Sequence, residues 1–265
     1  MSVNLTKEQI IQICSEIKDN QIKKIEKFVV FVGHAHSGHS IVGALIDAHQ
    51  DAAISNHVNV PKLILDHNLT KTEILKVVLY HSLNNDKNDA WINTGYNYQT
   101  YGNQGKTKSP IVIGDKQGGA STRIIRNNPE VLLALKKIFK EQLHLIFVHR
   151  NPLDNIAAFS HYMDEELSTK HVDRYFENLE TVGNIKNLID LDNWFQLDHK
   201  QFSINPENTM KKIFGFLNLS IDQLFIDRIT EIVNSKPNKR RDSVDWNPLM
   251  LKTIQAKLNE YSQLI

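Results

Sequence analysis

Residues 28–40 read FVVFVGHAHSGHS, and this segment limits the possible folds more than any other. Five consecutive apolar residues with no polar alternation suit a strand covered on both faces, as in a parallel sheet. Gly33 closes the run. The stretch that follows, SIVGALIDAH, spaces Ile41, Leu45 and Ile46 along one face of a helix. Strand, tight loop and helix in such quick succession open a βαβ unit.

The same reading extends along the chain. Thr6 and Gln9 form a capping-box pattern, and the isoleucines after them predict a helix over 6–27. Further strands are predicted at 52–55, 111–114, 143–149 and 194–197, with helices at 70–83, 128–141, 206–217, 221–234 and 247–262. This alternation predicts a three-layer α/β fold, with a mainly parallel central sheet flanked by helices. No internal repeat and no Pro/Ser/Gly linker divides the chain, so residues 1–265 are expected to form one domain. Residues 84–110, rich in Asn, Gly, Tyr, Thr and Lys, predict a long loop that is either functional or mobile.

Charge and cysteine content remove several function classes. With 31 Lys and Arg against 30 Asp and Glu, the formal charge is +1 and no global field would hold nucleic acid. Any anion must be caught locally. Cys14 is the only cysteine, which excludes an intrachain disulfide, and its amphipathic setting reads as a small apolar filler. The polar start MSVNLTKEQ and the lack of a long apolar run predict a cytoplasmic protein without membrane partners. Oligomeric state is open, a homodimer included.

Gly33, four residues, Gly38, His39 and Ser40 have the spacing of a phosphate-binding loop. Two glycines let the backbone curl until its N–H groups and the next helix N-terminus face one anion. Histidine stands where an NTPase has lysine, which disfavours ATP hydrolysis because that lysine is the fixed charge on the β and γ phosphates. His34, His36 and His39, with Ser37 and Ser40, make a cluster that packing does not require. A metal site is the weaker alternative, since adjacent loop residues do not all converge.

This loop resembles the 5′-phosphosulfate loop of sulfotransferases that use 3′-phosphoadenylyl sulfate (PAPS). Gly33, Ser37, Gly38 and Ser40 match, His36 takes the basic position and His39 that of the first threonine. The resemblance implies that His34, Ala35, His36, Ser37, Gly38, His39 and Ser40 hold the phosphosulfate. A second match is LIFVHRNPLDNIAAFSHY. There Arg150 offers a planar, multi-donor group; the resemblance gives it the 3′-phosphate, with Ser160 assisting because Ala158 stands at the family's serine. The alternative for Arg150 is an ion pair with Asp154. In VIGDKQGG, similar to the family's strand ending in Lys-Thr, Lys116 would face the sulfonate and Gly118–Gly119 would admit a ligand.

Gly118 occupies the place of the family's catalytic histidine, so the base is expected elsewhere. His57, just after the second strand, is the first candidate and His34 the second. Protonated His36 or His39 would join Lys116 on the leaving phosphate. FSINPENTMKKIFGFLNL is similar to a structural helix of the family, with Ile213, Phe216, Leu217 and Leu219 as core. SKPNKRRDSVDW resembles the segment that closes over the nucleotide, which assigns Lys239, Arg240 and Arg241 to it.

The resemblance thus implies a P-loop NTPase-like fold and metal-free transfer of a sulfonate from PAPS to a hydroxyl or nitrogen of a small acceptor, releasing PAP. Alternatives are a nucleotide-binding module without turnover and a kinase-like P-loop phosphotransferase. Trp91, Tyr96, Tyr98 and Tyr101 are expected to wall an acceptor pocket suited to a ring or a cation. Tailoring of a polar natural product in secondary metabolism, such as a guanidinium toxin, is the class the resemblance suggests.

Overall fold

The computed structural model describes residues 4–56, 58–85, 91–93, 96–236 and 239–264. In chain order the elements begin with α1 (Lys7–Glu16), α2 (Asp19–Ile22), β1 (Lys27–Gly33), α3 (His39–Asp47), β2 (Ala52–Asn56), α4 (Val60–Asp66) and α5 (Lys71–Leu83). A short pair, β3 (Ile92–Asn93) and β4 (Tyr96–Asn97), precedes β5 (Val112–Lys116), α6 (Gly119–Asn127), α7 (Glu130–Phe139) and β6 (Leu143–His149). The rest is α8 (Pro152–Met163), α9 (Thr169–Asn187), β7 (Trp194–Asp198), α10 (His199–Ile204), α11 (Pro206–Phe216), α12 (Gln223–Thr230) and α13 (Pro248–Glu260).

The central sheet has the order β2-β5-β1-β6-β7, and every pairing in it is parallel. Side chains of β1 alternate between two cores: Phe28, Val30 and Val32 face one, Val29 and Phe31 the other. The first core is closed by apolar faces of α1, α4, α5, α7 and α9, and includes a Phe28–Phe139 stack with centroids 3.8 Å apart. The second is closed by α3, α10, α11 and α12. Burial on both faces is why these strands read as unbroken apolar runs. Because β1 has neighbours reached by crossovers in opposite directions, the crevice beyond its carboxyl end is the expected ligand site.

The helix expected over 6–27 is two helices. The Thr6–Gln9 capping box forms as anticipated, but Ile17 leaves the helical region at φ −92°, ψ 119°. An unbroken helix of that length would run for about 30 Å and could not return the chain to β1. The break lets both Ile17 and Ile25 enter the core.

Residues 84–110 also differ from the loop expected. Among the described residues, β3 pairs antiparallel with β4, and Trp91 is fully buried. Trp91 Nε1 donates to Asp47 Oδ2 at 3.1 Å, so Trp91 is a core anchor and not an acceptor wall. Asp47 also accepts from the N–H groups of Ile54 and Gly105, Ser82 Oγ and Asn85 Nδ2. Burial pushes its carboxyl up to about 7 against these donors. One side chain therefore ties α3, β2, α5 and the 91–105 segment together. Among the described residues, no helix is long and apolar enough to cross a membrane.

Candidate functional site

A cavity of about 880 Å³ opens at the carboxyl rim of the sheet, where β1, β5, β6 and β7 end. Its floor is the loop after β1. His36 holds φ 59° and Gly38 φ 96°, turning the chain so that α3 starts with its N-terminus at the cavity. A left-handed residue at position 38 favours glycine, and a Cβ there would also lie 2.4 Å from the ring of His199. The loop carbonyls are held from outside. Asn155 Nδ2 donates to the Ala35 carbonyl and Arg150 Nη1 to the His36 carbonyl, both at 2.8 Å, and Ser37 Oγ donates to the His34 carbonyl. The first-turn N–H groups of α3 then remain as donors for an anion.

The charge missing from the loop arrives from β5. Lys116 is 2% exposed, and its Nζ donates to Ser40 Oγ at 3.0 Å. Room for its stem exists because position 43 on α3 is glycine: a Cβ there would lie 2.9 Å from Lys116 Cγ. Burial pushes the Lys116 ammonium down to about 8, with Asp115 opposing. Burial pushes Asp115 up to about 6, although Ser55 Oγ and the N–H groups of Val58 and Val60 donate to it. Asp115 therefore ties down the turn after β2. Since an anion selects the charged lysine, binding of an anion such as pyrophosphate should weaken as pH rises through about 8 and be accompanied by proton uptake near that pH. Calorimetry in buffers of different ionisation enthalpy reads that uptake; none with Lys116→Met would assign it.

The three loop histidines diverge. His34 stacks on Tyr175 with centroids 4.1 Å apart, and its Nε2 must be the donor to the Tyr175 carbonyl, 2.9 Å away. That hydrogen bond leaves only Nδ1 to take a proton, and burial pushes the ring down to about 4, so His34 is a weak base. His36 packs against Tyr162 and Phe159 of α8, with ring centroids 4.7 Å and 6.2 Å away. Burial, then Arg150 and Arg174, push it down to about 4. A protonated His36 on the leaving group does not fit these surroundings. His39 Nδ1 shares a hydrogen bond with Ser37 Oγ, and its ring lies under Gly118. Gly119 faces the loop backbone, where a Cβ would lie 2.6 Å from Ala35 N. The glycine pair thus admits the protein's own loop, and Gly119 also lines the cavity. Among the described residues no cluster of three or more His, Cys, Asp or Glu is arranged to hold a metal.

Other expected residues separate. Arg150 and Arg240 line the cavity, whereas Ser37, Ser160, Lys239 and Arg241 do not. Ser160 Oγ donates to the Glu165 carbonyl at 2.6 Å, closing the end of α8, while Ala158 faces the cavity. The carboxylate of Asp154 is held by the backbone N–H and the guanidinium of Arg241, so Arg241 pins the 240–243 turn to α8. Tyr96 and Tyr98 stack at the cavity wall. Tyr101 lies instead in a separate cavity of about 580 Å³ under the guanidinium of Arg228. His57 lies outside the described residues.

Sequence reasoning missed His199, Asn155, Arg123, Arg174 and Lys236, all of which line the cavity. His199 follows β7 directly, as Arg150 follows β6, and its place at a strand end was the signal that could have found it. Burial, then Arg150, push His199 down to about 4. Arg123 and Arg174 stand on helices α6 and α9 with no local motif to mark them.

No family model and no curated protein matches the sequence. Solved structures share its fold. The sulfotransferase domain from the curacin biosynthetic pathway superposes with a TM-score of 0.56 at 10% identity, covering 90% of this chain and 98% of that one. A sulfotransferase from Mycobacterium avium gives 0.54 at 11% identity over 91% and 77%. A mouse sulfotransferase complexed with PAP gives 0.51 at 13% identity over 99% and 92%. The chain has the sulfotransferase fold, and the expected parallel α/β architecture is what is found.

Proposed function

We propose that this chain is a PAPS-dependent sulfotransferase that moves a sulfonate onto a small acceptor and releases PAP. The observation that carries this reading is convergence. The loop after β1, Lys116 at the end of β5, Arg150 after β6 and Arg240 in the last basic segment, far apart in sequence, border one cavity. The PAP held by the mouse neighbour supports the choice of nucleotide. A cytoplasmic enzyme acting without nucleic-acid or membrane partners completes the reading.

In the reaction, the acceptor oxygen or nitrogen attacks sulfur in line with the bridging oxygen. The bond from sulfur to that oxygen breaks, its electron pair leaves with PAP, and the acceptor proton passes to a base. Lys116, the N-terminus of α3 and the loop amides stabilise the charge gathering on the leaving phosphate. Arg150 and Arg240 supply donors for the 3′-phosphate.

We assign the base to His57. The register pairs Asn56 with Lys116, so β2 delivers the chain to the rim beside the lysine. His57→Ala should lower kcat about a hundredfold, the low end for lost general-base catalysis, with PAP affinity unchanged in calorimetry. The reading as a whole is tested by incubating the chain with labelled PAPS and a hydroxyl and amine panel: PAP release dependent on acceptor supports it. Failure of PAP to bind at high concentration would sink it. A nucleotide-holding module without turnover is the second reading, favoured by the neutral His36 at the family's basic position. Tight PAP binding with no release from PAPS across the panel would select it.

A further inference from the structure

The cavity is far more positive than the chain that forms it. Its described lining carries six basic side chains, Lys116, Arg123, Arg150, Arg174, Lys236 and Arg240, and no Asp or Glu, although the whole chain is +1. Resting on the sulfotransferase reading, four of them suffice for the nucleotide: Lys116 at the loop, and Arg150, Arg240 and Lys236 toward the last basic segment. Arg123 and Arg174 are left over. They stand on α6 and α9, and His36 is near enough to Arg150 and Arg174 to feel both charges.

These two guanidinium groups are close to one another without an ion pair to either. Arg174 stacks on Phe159 at 3.9 Å; burial, then Arg123 and Arg126, disfavour its charge, and Glu177 and Glu165 offset this in part. The nearest carboxylates are engaged elsewhere: Glu177 pairs with Arg126, and Glu165 lies 3.3 Å from His171. Among the described residues neither Arg123 nor Arg174 forms an ion pair. Tyr175, which also lines the cavity, has a buried hydroxyl with no hydrogen-bond partner. Like charges held close together repel unless an anion joins them, and a guanidinium presents paired donors matched to carboxylate or phosphate oxygens.

We infer that the acceptor is an anion: a small hydroxyl compound bearing a carboxylate or phosphate that docks on Arg174 and Arg123. Its apolar part lies on Phe159 and Tyr162, and its nucleophile points past His36 toward Lys116. This replaces the cationic acceptor that the aromatic residues of the 91–101 segment suggested. Arg174 and Arg123 act as specificity-determining residues and take no part in the transfer itself.

The test titrates the full chain, with PAP present, with matched pairs of hydroxy carboxylates and their methyl esters, among them para-hydroxyphenylacetate and glycerate, and with tyramine as a cation. At least one carboxylate should bind more than about tenfold tighter than its ester. Arg174→Gln should erase that preference while leaving PAP affinity in place, and Arg123→Gln, at an exposed position that folding tolerates, should weaken it. Equal or tighter binding of every ester, or preference for tyramine, would overturn the inference. So would an Arg174→Gln variant that loses ester and carboxylate binding alike. Failure of PAP itself to bind would instead count against the nucleotide reading, and the carboxylate preference is then read without PAP.

Discussion

Lys116→Met is expected to lower kcat about 10³-fold, in the range found when a charge-stabilising donor is removed, while raising the melting temperature by a few degrees. The two effects have one origin. Lys116 sits at 2% exposure with its Nζ on Ser40, so its charge is kept where the leaving phosphate forms and away from water. The folded state disfavours that charge, and the ammonium falls from 10.5 to about 8. A depressed lysine costs stability wherever it is charged in both states, on the order of 3 kcal/mol for a shift of this size. That cost is present at pH 7, shrinks as pH rises above about 8, and is gone above about 10.5. Methionine fills a similar volume without the charge. Its gain in melting temperature should therefore fade on going from pH 7 to pH 10, while the loss in kcat persists. A variant that is slower and less stable at pH 7 would mean that Lys116 serves packing instead.

The same residue shows how much the sequence discloses. The phosphate loop was legible because glycine spacing is a local constraint: Gly38 at φ 96° and the start of α3 follow from it. Its charge was legible only through the resemblance of VIGDKQGG, which put Lys116 at the sulfonate; its contact with Ser40 was not, because the lysine belongs to a strand 76 residues away and only the β1–β5 pairing brings it there. Strands of the central sheet were legible for a related reason, since burial on both faces leaves an unbroken apolar run in the chain itself. The stop at Ile17 was hidden because it answers a tertiary need, the entry of Ile25 into the core. Trp91 was misplaced for a similar cause: its indole is claimed by Asp47, whose partners come from β2, α5 and the 91–105 segment. Helix α4 carried a readable start, with Asn59 capping Lys62 N–H and Pro61 in the first turn. Arg123 and Arg174 had no such mark, because what unites them is the approach of α6 to α9.

Arg150→Met should weaken PAP binding about 10³-fold and remove most of the preference for PAP over adenosine monophosphate. Two roles meet in this side chain. Its Nη1 supports the loop by donating to the carbonyl of His36, a residue held at φ 59°. Left-handed backbone at a non-glycine residue needs such support, because the conformation is itself unfavourable. By our reading its guanidinium also meets the 3′-phosphate, a charge-assisted contact worth about 1.5–3 kcal/mol. Loss of both contacts brings the total near 4 kcal/mol, or about 10³-fold. The two roles separate by ligand. Adenosine monophosphate lacks the 3′-phosphate, so its affinity should fall only by the loop's share, about tenfold. If the variant weakened both nucleotides equally, Arg150 would be a support of the loop alone, and the 3′-phosphate would have to be held by Arg240 and Lys236 across the cavity.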